Sequence, residues 1–78
     1  MWYVYIVRCR DGSLYTGATN DLERRVAEHN AGTGARYTRS RRPVRLVWSE
    51  RRRTRASAQR REAQIKSWPK EKKAALVV

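Results

Sequence analysis

At 78 residues the chain has material for one small core and is expected to be one domain spanning 1–78, near the lower limit of what folds without staples. Its single cysteine, Cys9, excludes an internal disulfide and a cysteine metal cluster, and no apolar run approaches a membrane span or signal peptide, so a reducing cytoplasmic setting without a membrane partner is expected. The 19 Lys and Arg against 7 Asp and Glu leave a net charge of +12, an excess that makes a polyanion, nucleic acid above all, the expected partner.

Trp2 to Cys9 is apolar or aromatic at almost every position apart from Arg8, the pattern of a strand covered on both faces. Arg10-Asp11-Gly12 is a turn, and Leu14 to Ala18 is the second strand of a hairpin. Two closures are open. A two-residue Asp11-Gly12 loop pairs Arg8 with Tyr15 and sends Tyr5 and Tyr15 to opposite faces. A three-residue loop with Gly12 in the left-handed conformation pairs Val7 with Tyr15 and sets Tyr3, Tyr5 and Tyr15 on one face. Cys9, alone in an apolar strand, reads as packing rather than as a nucleophile.

Asn20 is the expected N-cap of a first helix, with Glu23 three residues on as in a capping box, and Gly32 stops that helix after Ala31. Leu22, Arg25, Val26 and His29 fall at i, i+3, i+4 and i+7, on the stripe that faces a core. Arg25 and His29 then need a polar pocket, a carboxylate or water; alternatively Arg25 snorkels and His29 caps the helix end. Periodicity supports both readings equally.

Gly32 to Pro43 reads as a loop, glycine-rich and then basic. Arg36, Tyr37, Arg39, Arg41 and Arg42 form a cationic and aromatic mixture suited to gripping phosphates and stacking a base or sugar. Its glycines lack the lysine and following helix of a phosphate-cradling motif. Val44 to Glu50 is the third strand, and Arg51-Arg52-Arg53 is a like-charge run, solvated or facing phosphate.

Thr54 caps a second helix, Arg55 to Lys66, whose Ala58, Glu62 and Ile65 share a face at i, i+4 and i+7. Glu62 is thereby set with the small core residues, where it meets either a neighbouring arginine or a divalent cation. Lys66 is a further candidate nucleic-acid contact. Pro69 is expected as the first residue of a last short helix to about Leu76. Trp68, Leu76 and Val77 close the core, and Trp2, Trp48 and Trp68 read as packing rather than base-stacking.

Tyr3-Val4-Tyr5, then Tyr15-Thr16-Gly17, then Asp21-Leu22-Glu23-Arg24-Arg25 with His29, then Glu62 on a later helix together resemble the GIY-YIG nuclease superfamily. More narrowly, the chain resembles the small stand-alone bacterial proteins that consist of that domain. Each motif is weak alone; four in this order, across essentially the whole chain, are specific. The resemblance implies an α/β chain of the α+β type, a three-stranded antiparallel sheet flanked by helices with a shallow site on one sheet face. It places Tyr5 and Tyr15 as the site tyrosines, Arg25 as the helix arginine, His29 after it, and Glu62 as the metal-binding glutamate. The implied activity is phosphodiester hydrolysis with one Mg²⁺ or Mn²⁺, on DNA rather than RNA and on structured, single-stranded or damaged forms.

The residue types suit that chemistry. A phenol of pKa near 10 acts as a base only where cations favour the phenolate, and Arg25 supplies a fixed cation and a planar fork for a phosphate. One carboxylate is a small ligand set for Mg²⁺, so little metal binding is expected without nucleic acid. Tyr3 stands where the family has its name-giving glycine, Thr16 replaces isoleucine, and Ala18 stands where some repair members carry a lysine. These departures keep a second reading alongside the nuclease, a non-catalytic basic module that binds DNA or RNA. With no recognition domain attached, poor sequence specificity is expected unless a protein partner supplies it.

Overall fold

The hairpin closes through three residues. In the computed structural model, which describes residues 1–77, the Cys9 N–H donates to the Ser13 carbonyl at 2.8 Å and Gly12 takes φ 85°. The Asp11 carboxylate accepts the Ser13 N–H at 3.0 Å and its hydroxyl at 2.6 Å, which pins the turn. Strand β1 (Trp2–Arg8) therefore pairs with β2 (Leu14–Thr19) with Val7 opposite Tyr15 and Tyr5 opposite Gly17. The tyrosine side chains of positions 5 and 15 share a face.

Strand β3 (Arg45–Arg52) pairs antiparallel with β1 on its other side, giving the order β2-β1-β3. Alternation along the central strand divides the apolar residues into two clusters. Val4 and Ile6 point to one face and pack with Ala58 and Ile65 of helix α3 (Arg55–Lys66), with Trp2, Trp48, Trp68, Leu76 and Val77 around them. Tyr5 and Val7 point to the other, where Cys9, Val44, Tyr15 and the Leu22 and Val26 of α1 (Leu22–Ala31) pack on them. Thus α1 and α3 cover opposite faces of one sheet. The tryptophans and Cys9 are packing residues, as expected from the sequence.

Several boundaries differ from the sequence reading, each for a local reason. The N-cap of α1 is Asp21, whose side chain accepts the Arg24 N–H, and not Asn20. Thr19 Oγ1 accepts the Asp21 N–H at 3.1 Å, so the chain enters the helix one residue later, and Asn20 is left to accept from the Arg24 guanidinium. The segment expected as loop contains a one-turn helix, α2 (Arg36–Arg39). Val44 precedes β3 rather than opening it, because its N–H and C=O both go to the Asn30 side chain, at 2.7 and 3.1 Å. The strand runs on to Arg52 instead of ending at Glu50. Pro69 is the N-cap of α4 (Lys70–Leu76) rather than its first residue.

Thr16 lies opposite Ile6 on the α3 side of the sheet, 3% exposed, and its hydroxyl has no hydrogen-bond partner. A buried hydroxyl left unpaired costs on the order of 1–3 kcal/mol. Thr16→Val, which keeps the branched shape, is expected to raise stability by about 1 kcal/mol with an unchanged denaturant slope, read from urea unfolding.

Candidate active site

Two buried side chains form the centre. The Tyr5 hydroxyl lies 2.8 Å from His29 Nε2, with Tyr5 1% and His29 0% exposed. Tyr5 comes from the middle strand and His29 from the last turn of α1, on the core-facing stripe. The other imidazole nitrogen, Nδ1, lies 2.8 Å from the Thr38 hydroxyl of α2, which itself reaches the Ala35 carbonyl at 3.1 Å. The Tyr15 ring meets His29 edge-on at 5.3 Å between centroids. So the α1 stripe has the polar partners it required: a phenol and a hydroxyl for His29, and the Glu28 carboxylate for Arg25.

Two glycines make room for this pair. A Cβ on Gly17 would overlap the Tyr5 hydroxyl and lie 2.6 Å from its Cζ. A Cβ on Gly34 would lie 2.5 Å from His29 Nδ1 and 2.8 Å from its Cα, a backbone clash that no rotamer relieves. Gly34 also accepts from the Arg25 guanidinium at 3.3 Å, while Arg25 pairs with Glu28 at 3.1 Å. Arg25 is half-buried beside Tyr5, so it neither snorkels freely nor lies in the core.

Burial pushes the Tyr5 phenol up to about 12, against the downward pull of the Arg25 guanidinium beside it. Burial and the positive field of Arg25 hold His29 below its ordinary 6.5, with Glu28 opposing. At neutral pH the centre is therefore an un-ionised phenol against a neutral imidazole.

Glu62 reaches this region from the opposite sheet face. It sits not among the core residues Ala58 and Ile65 but at the rim, its side chain 22% exposed and paired with Lys66 Nζ at 2.9 Å. It lines a groove of about 280 Å³ with Arg24, Arg25 and Glu28 of α1, Asn20, and Arg55 and Gln59 of α3. The expected site on a single sheet face is thus corrected: α1 and α3 meet around the exposed edge of β2, and Glu62 comes from the side opposite to the tyrosines. Lys66 lies over the Tyr15 ring at 5.5 Å, which ties the carboxylate end of the groove to the aromatic cluster. Arg55, Gln59, Glu62 and Lys66 form one edge of α3 at spacings of four, three and four.

The basic loop residues divide. Tyr37, 39% exposed, stacks on Tyr15 at 5.9 Å and is covered by Arg41 at 4.0 Å, with Arg41 held by Asp11 at 3.1 Å and by the Tyr37 carbonyl at 2.8 Å. These two brace the site wall. Arg39 and Arg42 line a separate hollow of about 470 Å³ with Arg10 and Asn30, and Arg36 is exposed on α2. Sequence reasoning singled out neither Arg24 and Arg55 nor Thr38 and the spacing function of Gly34. The signal for Thr38 was only indirect, the need of a core-facing His29 for a partner. Among the described residues no group of three or more His, Cys, Asp or Glu is placed to hold a metal ion, so any cation here relies on few protein ligands.

A sequence profile described as the GIY-YIG catalytic domain matches residues 1–75. The chain belongs to the GIY-YIG family, a nuclease family whose members act on nucleic acid and generally use divalent metals. Within it, the chain is similar to the UPF0213 proteins. It is 63% identical over 71 residues to one from Haloquadratum walsbyi, covering 91% of this chain and 80% of that protein, and 51% identical over 75 residues to one from Staphylococcus saprophyticus, covering 96% and 92%. The solution NMR structure of a UPF0213 protein from Bacillus halodurans superposes with a TM-score of 0.62 at 46% identity, covering 99% of this chain and 83% of that one. No helix among the described residues is long and apolar enough to cross a membrane.

Two outcomes are expected. His29 is faced by Tyr5 and Tyr15 from the sheet, Arg25 and Glu28 on α1 and Thr38 on α2, and is held below 6.5 when folded. In the interval between that folded value and 6.5 the unfolded chain binds the extra proton, so His29 lowers stability as pH falls below 6.5 and has no effect above it. The melting temperature of the wild type should therefore drop more steeply than that of His29→Gln between about pH 7.5 and pH 5. Gly17→Ala should expel the Tyr5 ring from its place against His29, at a cost of about 1–3 kcal/mol in unfolding experiments.

Proposed function

We propose that this protein is a metal-dependent nuclease that hydrolyses phosphodiester bonds, in DNA rather than RNA, within one domain spanning 1–78 and in the cytoplasm. The observation that carries the reading is that Arg25 and Glu62 line one groove with Arg24 and Arg55, and that the buried Tyr5 and His29 pair lies directly behind Arg25. Simple phosphate gripping has no need of a buried phenol bonded to a neutral imidazole.

In this reading Arg25 forks onto the scissile phosphate and stabilises the charge that grows on its equatorial oxygens. Arg24 and Arg55 hold flanking phosphates, and Tyr15 orients the attacking water. As the water oxygen bonds to phosphorus, its proton goes to the Tyr5 oxygen and the Tyr5 proton goes to His29 Nε2. The bond to the leaving oxygen breaks, that oxygen takes a proton from solvent, and His29 returns its own to solvent through the Tyr5 oxygen. The products are one phosphate monoester and one hydroxyl.

Glu62 would hold the Mg²⁺ or Mn²⁺. A single hard carboxylate at a solvent-open rim, beside a groove shaped for phosphate, fits a cation that keeps several waters and borrows substrate oxygens. When bound, it supplies Lewis-acid stabilisation of the phosphoryl oxygens. Specificity is assigned to substrate shape or to a protein partner.

A second reading has its own observation: the hollow of Arg10, Arg39 and Arg42 lies apart from the groove, and none of the three pairs with a carboxylate among the described residues. It suits salt-sensitive binding of nucleic-acid backbone whether or not cleavage follows.

Cleavage of duplex, nicked, branched and single-stranded oligonucleotides with Mg²⁺ or Mn²⁺ tests the proposal. Glu62→Ala, Arg25→Ala and Tyr15→Phe are each expected to lower metal-dependent cleavage by at least about 100-fold while circular dichroism stays native. Undiminished cleavage by Glu62→Ala would remove the mechanism, and salt-sensitive binding without cleavage by any form would leave the binding module.

A further inference from the structure

The hydrogens of the buried centre can be placed by counting donors and acceptors. Thr38 is 0% exposed and its hydroxyl has two neighbours, His29 Nδ1 at 2.8 Å and the Ala35 carbonyl at 3.1 Å. A carbonyl only accepts, and the adjacent Arg25 guanidinium only donates, so Arg25 cannot take the Tyr5 proton. With His29 protonated at Nδ1, every hydrogen has an acceptor. The Tyr5 O–H goes to Nε2, the Nδ1–H to Thr38 Oγ1, and the Thr38 O–H to the Ala35 carbonyl. With His29 protonated at Nε2, that N–H points at the Tyr5 oxygen and the phenolic hydrogen, on a side chain 1% exposed, finds no protein acceptor in the resting centre. A buried donor left unpaired is the costlier arrangement.

We infer that Thr38 is a positioning residue: it holds His29 as the Nδ1–H tautomer, so that an unprotonated Nε2 faces the Tyr5 hydroxyl and is ready to take its proton. The role rests on the proposed nuclease reading for its consequence, though not for its geometry. In the transfer the Tyr5 O–H bond breaks and an Nε2–H bond forms. The resulting imidazolium keeps both its hydrogens bonded, one to the Tyr5 oxygen and one to Thr38. The device is built by α2, which the sequence did not advertise, and Gly34 lets that segment close over His29 without a Cβ in the way.

The wild-type tautomer is read directly from long-range ¹H–¹⁵N correlations of the imidazole, with His29 the only histidine in the chain. Protonation at Nδ1 is expected, retained in Thr38→Ser and lost or mixed in Thr38→Val. Metal-dependent cleavage of a single-stranded and a duplex oligonucleotide should fall at least about tenfold in Thr38→Val, mainly in kcat, and recover in Thr38→Ser. A wild-type imidazole protonated at Nε2 would overturn the inference, and needs no variant to fold. So would a Thr38→Val protein with unaltered tautomer and unaltered cleavage. If the wild type is Nδ1–H but cuts no oligonucleotide, the geometry stands and the nuclease reading fails.

Discussion

The hydrogen bond between the Tyr5 hydroxyl and His29 Nε2 is the constraint on which the rest of the α1 side of the molecule depends. Both groups are fully buried, so each must be satisfied by the other, and breaking the pair would strand polar atoms at a cost of about 1–3 kcal/mol. It sets the hairpin register, because the Tyr5 ring lies across β2 where only Gly17 leaves space. It sets the loop after α1, because the chain passes over His29 at Gly34. The glycine of the second motif is therefore a steric requirement of a neighbouring strand's tyrosine, not a turn residue.

Charge is arranged to position rather than to stabilise. Of the seven acids, Asp11, Glu28, Glu50 and Glu62 pair with basic side chains, mostly at half-exposed sites where such contacts contribute little. Their placement matters more. Asp11 at the hairpin turn holds Arg41, which covers Tyr37, which packs on Tyr15, so the turn is connected mechanically to a site tyrosine. Glu28 holds Arg25 beside Tyr5, and Lys66 holds Glu62 at the groove rim. The remaining cations far outnumber the acids, and a surface so biased attracts phosphate backbone over distances of a Debye length.

Most of the fold was legible from pattern alone, and the exceptions share a cause. Both strands of the hairpin, α1, α3 and the family resemblance were readable from periodicity, caps and motif order. The hairpin closure was not, since Arg10, Asp11 and Gly12 permit either turn, and the Asp11 bonds to Ser13 together with the space Gly17 leaves for Tyr5 favour the three-residue one. Helix α2 was read as loop because four residues, Arg36 to Arg39, carry no stripe; its Thr38 is stabilised by a histidine nine positions away. The wheel of α3 set Glu62 with Ala58 and Ile65, whereas it sits one edge away at the rim beside Lys66, and it did not give the face of the sheet that α3 covers, so not the route by which a carboxylate arrives at the β2 edge.

The protonation state of the centre constrains how the proposed reaction can proceed. Burial raises Tyr5 and lowers His29, so both shifts oppose a resting phenolate paired with imidazolium. An incoming phosphate anion raises both groups together, while the Arg25 guanidinium pulls Tyr5 back down. A stored phenolate base is thus disfavoured. A transfer in which Tyr5 receives the water's proton as it releases its own avoids the intermediate charge separation, since the phenol is neutral before and after. Such a shuttle needs the acceptor nitrogen fixed in place before the water arrives, and this ties the chemistry of the β2 edge to the buried hydroxyl of Thr38 behind it.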